Sequence, residues 1–343
     1  MSNLPLETER SLVEEICKPL SITRTIFSYG MTVLAILLSS LALLPLFHIL
    51  FAILSQGISK LNWETLTSTP RPIGMEGMPN GFANAIVGTI IIVGIAFLIS
   101  IPFGLMTGIF LSEFGRESKI ASTIRFITTV LTGIPSVIVG VFAYGVVVLT
   151  KISIQNGQIF FGQPTTGDPI GWKIPEFMGA IANFFHYDIN SLALEVGGFS
   201  AVAGGFALSI LMLPVVALTT EESLKLVPIS QRLASAALGG NHFQTTFRIV
   251  LRAALPGVTT GILLAVARAA GETAPLIFTA LFSDNFPTGL FNPTPSLSVL
   301  IYNYANSPFN EQIELAWTAS IVLVSMILLL SIGSRSLTRR KSR

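Results

Sequence analysis

Residues 231–281 read QRLASAALGGNHFQTTFRIVLRAALPGVTTGILLAVARAAGETAPLIFTAL. The first half is polar, basic and rich in small residues. The second half is apolar over a bilayer-spanning length, yet it carries Arg268 and Glu272 near its middle. Roughly 20 apolar residues in helical form cross a hydrocarbon core of about 30 Å. A segment suited to water thus runs directly into a membrane span holding a cation and a carboxylate. That junction sets the reading of the whole chain.

Composition agrees. Hydrophobic residues make up 51% and charged residues 11%, against about 25% charged in a typical globular domain, and the mean hydropathy is +0.72. The chain is an integral membrane protein. A net charge of +2 makes no case for nucleic acid, and the one cysteine, Cys17, excludes a disulfide framework. His48, His186 and His242 lie far apart without ligand spacing, so no metal site is expected.

Working outward, the apolar stretches predict six transmembrane helices at about 27–54, 83–111, 124–149, 199–218, 256–282 and 315–332. Pro45 marks a kink in the first, Pro135 interrupts the third within GIPSVIVG, and Pro256 suits the first turn of the fifth. The fold class is all-α. Residues 1–26 form a polar tail, 27–333 the membrane domain and 334–343 a basic tail. The tail 1–26 lacks the basic start and short apolar core of a secretory signal, so it reads as retained. Residues 150–198 form the longest polar stretch, either a small extramembrane subdomain or a covering loop, with 175–185 a candidate interfacial helix.

Orientation follows from the basic residues. Fifteen of the twenty fall on one side: Arg10, Lys18, Arg24, Arg116, Lys119, Arg125, Lys225, Arg232, Arg248, Arg252, Arg335, Arg339, Arg340, Lys341 and Arg343. Both termini and the loop 220–255 are therefore expected in the cytoplasm.

That loop has a helical pattern of its own. Ala234, Ala236 and Ala237 give a low-profile surface, and Gly239 permits a sharp turn. Spacing alone leaves two readings open, a docking surface or a hairpin packed on the chain's own helices. Arg268 and Glu272 likewise admit two. Each charge costs on the order of 2.5–3.5 kcal/mol at bilayer depth, so both should face protein. At i, i+4 they pair on one helix face, either as a structural bridge or as an anion path in which Thr273 adds a hydroxyl. A guanidinium suits phosphate because its fork donates parallel hydrogen bonds.

The order small-residue helix, Gly239, nine residues, Ile249-x-Leu251 resembles the coupling loop of ABC importer permeases, EAA…G…I-LP. Leu233 stands at the family's Glu, Ser235 at its second Ala and Arg252 at its Pro. TGIPSVIVGVFAYG, TTEESLKLVP, ALGG and ALPGVTTGILLAVARAAGETAPLIFTAL together resemble the PstA family of phosphate permeases over most of residues 80–335. The resemblance implies a type I ABC importer permease with the MetI-like architecture. It implies that Leu233, Ala234, Ser235, Gly239, Gly240, Ile249 and Leu251 form the ATPase-coupling segment, and that Arg268, Glu272 and Thr273 lie on the substrate path. The partners implied are a second, PstC-like permease, a PstB-like ATPase dimer, a PstS-like phosphate-binding protein and membrane lipid. The chain has no GxxxxGK[ST], HExxH or GxSxG, so no cofactor or catalytic residue is expected here, and ATP and magnesium belong to the ATPase subunit. The alternatives kept open are a permease for sulfate or molybdate, and a secondary transporter without ATP.

Overall fold

The computed structural model describes residues 22–341 except 76, 116–117, 150–151, 156–157, 162–169, 174–193 and 197. The tail before residue 22 and the candidate helix at 175–185 lie outside the described residues. The chain divides into two units, Met1–Ser55 and Gln56–Arg343. In the first, α1 (Ile22–Gly57) runs through Pro45 without ending. Its large apolar residues, among them Phe27, Leu34, Leu41 and Phe47, are exposed on all sides. A helix apolar all round needs a hydrocarbon environment.

The second unit begins with the short α2 (Trp63–Thr67), closed by a capping box in which Asn62 accepts from the Thr65 backbone N–H. Then come α3 (Ala83–Ile109), extended by a π-turn at Phe110–Phe114, and α4 (Lys119–Gly133). Next are α5 (Ser136–Ala143) with a π-turn at Tyr144–Val148, and α6 (Ala201–Lys225). After α7 (Ile229–Ala237) and α8 (His242–Gln244), a π-turn at Thr245–Val250 leads into α9 (Leu251–Ala270). The chain finishes with α10 (Ala274–Thr279), α11 (Leu297–Ala305) and α12 (Asn310–Lys341). Among the described residues five helices are long and apolar enough to cross a membrane, or six if the bent pair α4–α5 counts as one span.

Glycines set how closely these helices pack. A Cβ at Gly104 would lie 2.8 Å from Val216 Cβ, and one at Gly108 would lie 2.6 Å from Thr220 Cβ, so α3 and α6 cross nearly backbone to backbone. A Cβ at Gly261 would sit 2.2 Å from Thr219 Oγ1, which brings α9 equally close to α6. Around these crossings Ile92, Leu208, Met212, Val216, Ala265 and Ala269 form one buried cluster. A second joins Phe82, Leu297, Leu300, Ala316 and Ala319. The small residues of the fifth span therefore serve contacts within this chain.

Four boundaries differ from the sequence reading. The third span bends by 104° between α4 and α5; Pro135 lacks an N–H, and Ile134 before it takes an extended conformation. The fourth helix runs on to Lys225, so TTEESLK is helical and the loop is shorter than 220–255. The fifth span does not start at Pro256, which lies inside α9; the helical run starts where Asn241 caps it. Nor does that span reach 282, because it breaks at Gly271. Within 150–198 the described residues include β1 (Ile152–Gln155), β2 (Gln158–Phe161), β3 (Ile170–Lys173) and β4 (Leu194–Val196), which make an antiparallel sheet in the order β3-β2-β1-β4.

Candidate functional site

Residues 229–244 are built by two local motifs in succession. Helix α7 ends in a glycine turn: Gly239 adopts φ +82°, its N–H reaches Ala236 O at 3.0 Å and the Gly240 N–H reaches Ser235 O at 2.9 Å. These two bonds satisfy carbonyls that a helix end leaves free, and the left-handed residue they require favours glycine. Asn241 then starts the next helix with a capping box, accepting from Gln244 N at 2.7 Å while Gln244 Oε1 accepts from Asn241 N at 3.2 Å.

The surface of α7 is unusual. Of its nine residues only Arg232 and Ser235 are even half-buried, and none of its apolar residues enters a core. Leu233 is 62% exposed and, just beyond the helix, Leu238 is 89% exposed. A hairpin packed on the chain's own helices would bury these residues, so α7 presents an open apolar face. Ala234 and Gly239 share the exposure, and Ile249 is at its margin. Ser235, Gly240 and Leu251 do not: Ser235 Oγ lies 2.7 Å from Thr245 Oγ1, Gly240 packs on Ser235, and Leu251 joins the cluster of Ile109, Leu224, Val250 and Ala254.

A layer of ion pairs underlies this end. Arg232 Nη2 lies 2.8 Å from Glu113 Oε1, and the same guanidinium donates to the carbonyls of Leu224 and Val227. Glu221, almost fully buried, accepts from Arg125 Nε at 2.7 Å and from Lys225 Nζ at 2.6 Å. Sequence reasoning missed Glu113, Glu221 and these pairings. Only the presence of charges close to the span ends hinted at them.

From His242 a single helical run of 29 residues, about 40 Å long, leads to the second feature. At its C-terminal end Arg268 Nε lies 3.4 Å from Glu272 Oε1, with the two side chains 48% and 18% exposed. Among the described residues Glu272 is the only partner of this guanidinium. The pair sits at the break, not mid-helix. Gly271 ends α9, Thr273 precedes α10, and Ser298 Oγ holds the turn by donating to Glu272 O at 2.9 Å. Arg268 follows Thr260 and Leu264 along the exposed stripe of α9, at the edge of the buried face formed by Gly261, Ala265 and Ala269. Among the described residues no ion pair or side-chain hydrogen bond links Arg268 to a neighbouring helix. The Thr273 hydroxyl makes no hydrogen bond among the described residues. Nearby, a Cβ at Gly140 would lie 2.7 Å from Pro275 Cα, so GIPSVIVG and GETAPL pack directly on each other.

The model of the binding-protein-dependent transport system inner membrane component family matches residues 100–343. The phosphate transport system permease protein PstA of Haemophilus influenzae is 35% identical over 85% of this chain and 87% of its own length. That of Yersinia pestis is 36% identical over 86% and 84%. The chain belongs to the PstA permease family. The likeness reaches the probable PstA of Methanocaldococcus jannaschii, 30% identical over 87% of this chain and 89% of its own length. Among solved structures, a chain of a bacterial alginate ABC transporter, crystallised with an alginate-pentasaccharide-bound periplasmic protein, superposes with a TM-score of 0.58. It is 14% identical and covers 94% of this chain and 97% of its own length, so the two chains share a fold. As a PstA-family permease, the chain is a multi-pass inner-membrane transport component.

Proposed function

We propose that this chain is a permease subunit of an ATP-driven importer that passes inorganic phosphate from a binding protein into the cytoplasm. Its partners are a second PstC-like permease, a PstB-like ATPase dimer and a PstS-like binding protein. Both termini and α7 face the cytoplasm, in keeping with the bias of basic residues. ATP and magnesium are used by the ATPase, which docks on the open face of α7.

The observation that carries the reading is Arg268. It stands at a helix break, half-exposed, with a long, single ion-pair contact among the described residues. A guanidinium committed to structure would be ringed by acceptors. This one keeps N–H groups available for two oxygens of a tetrahedral anion. Glu272 supplies an internal competitor that keeps the site from trapping its anion, and Thr273 adds a donor. Irregular backbone at membrane depth is tolerated where it is buried in protein or lines a cavity, and the break at Gly271 fits such a place.

The test is uptake by the complete complex in proteoliposomes, with labelled phosphate and labelled sulfate offered in turn. Phosphate uptake dependent on ATP and binding protein supports the reading. Sulfate uptake without phosphate uptake keeps the architecture and replaces the substrate. Uptake that continues without ATP removes the coupling role of α7.

A further inference from the structure

We infer that Arg232 and Glu113 form the mechanical link between the ATPase-docking helix and the membrane spans, distinct from the surface that binds the ATPase. The inference rests on the docking reading of α7.

The geometry is that of a hub. A single guanidinium joins three elements. Its Nη2 and Nε approach the two oxygens of Glu113, at 2.8 and 3.4 Å, on the π-turn that ends α3. It also donates to Leu224 O at 2.9 Å, a carbonyl that accepts from Val227 N as well, and to Val227 O just past the end of α6. And it belongs to α7. The Glu113 side chain is 6% exposed and Arg232 19%, so the pair is shielded from solvent. Glu113 also accepts from Ser112 Oγ at 3.1 Å.

Among the described residues no apolar side chain of α7 is buried. Besides Arg232, only Ser235 of this helix is half-buried, and it reaches the next helical run through Thr245. Apolar surfaces slide over one another, whereas a forked, charge-assisted pair is directional and holds orientation. A displacement of α7 is therefore delivered to α3 and the end of α6 together. Those helices are locked by the Gly104 and Gly108 crossing, so they move as one. The π-turn meets the long helical run as well, since Phe114 packs edge-on to His242 with centroids 5.0 Å apart. Arg232 and Glu113 are thus positioning residues for transport, and neither touches the anion.

The test uses the complete complex in proteoliposomes and reads ATP hydrolysed per phosphate imported, alongside ATPase retention on the tagged chain. Arg232→Gln and Glu113→Gln should each keep the ATPase bound and hydrolysing, while ATP per phosphate rises about tenfold. The double variant should be no worse than the poorer single, because one link is broken in all three. Arg232→Lys, which keeps the charge and loses the fork, should fall between. An unchanged ratio in both single variants overturns the link, as does release of the ATPase by Arg232→Gln. If Arg232→Gln fails to assemble with the partner permease, the near-isosteric Glu113→Gln decides alone. Leu238→Asp on the outer face separates the two claims. If it retains the ATPase, the docking reading fails. If it releases the ATPase while the Gln variants import at an unchanged ratio, docking stands and the link falls.

Discussion

Gly261→Ala adds one methyl group at the tightest crossing of α9 on α6. The new Cβ would lie 2.2 Å from Thr219 Oγ1 and 2.5 Å from Thr219 Cβ, whereas carbon atoms pack at about 3.5–4.0 Å. Rotating Thr219 removes the first clash and leaves the second. Its hydroxyl is in any case bonded to Val215 O at 2.7 Å, and a β-branched side chain has few rotamers in a helix. The helices must therefore separate by about 1 Å, and overpacking of this kind costs about 1–3 kcal/mol. Helix propensity works the other way, favouring Ala over Gly by up to about 1 kcal/mol, so the observed loss should sit in the lower part of that range. Thermal unfolding of the detergent-purified chain, followed by circular dichroism, measures it. Thr219→Gly removes both clashing atoms, so the double variant should be more stable than Gly261→Ala alone. Strictly additive effects, or a Gly261→Ala chain as stable as the original, would refute the close-crossing account.

Three further outcomes follow from the same structure. Glu221→Gln should destabilise the chain by about 1–3 kcal/mol in the same assay, less than a fully buried pair would because Arg125 and Lys225 remain partly hydrated. Gly239→Ala should cost about 1 kcal/mol from its left-handed backbone alone, since no atom lies within 4 Å of the added Cβ. Gly239→Asn should cost less, and hydrogen exchange at the end of α7 distinguishes the two. Burial raises the Asp284 carboxyl above its usual range, opposed by a hydrogen bond from Tyr304. The folded chain then holds that proton more tightly, so this group's stabilising contribution is complete below pH 3.8 and fades as pH rises through the raised value. Asp284→Asn should therefore gain stability relative to the original as pH moves from 4 to 7, measured by paired unfolding curves; a gain that shrinks over that range would contradict the assignment.

The spans were legible because hydropathy and bilayer thickness leave little choice of length, and the turn at Gly239–Asn241 because glycine and asparagine mark their backbone conformations locally. Gly239 and the pair Arg268–Glu272 were found on those grounds. The long-range layer was not legible. Glu113 and Arg232 are 119 residues apart, and nothing in either neighbourhood specifies the other. The break at Gly271 was hidden because GETAPL follows an unbroken apolar run and only tertiary support, such as the bond from Ser298, makes a turn there affordable. The extension of α6 past residue 218 was missed because its polar last turns look like a loop, although Glu221 is among the more buried residues of the helix.

The most direct measurement of the central claim is phosphate uptake and ATP hydrolysis in proteoliposomes holding the complete complex, comparing Arg268→Gln with the original chain. The account predicts that uptake falls about tenfold or more while the complex assembles and hydrolysis continues. Undiminished uptake by an assembled Arg268→Gln complex would contradict it.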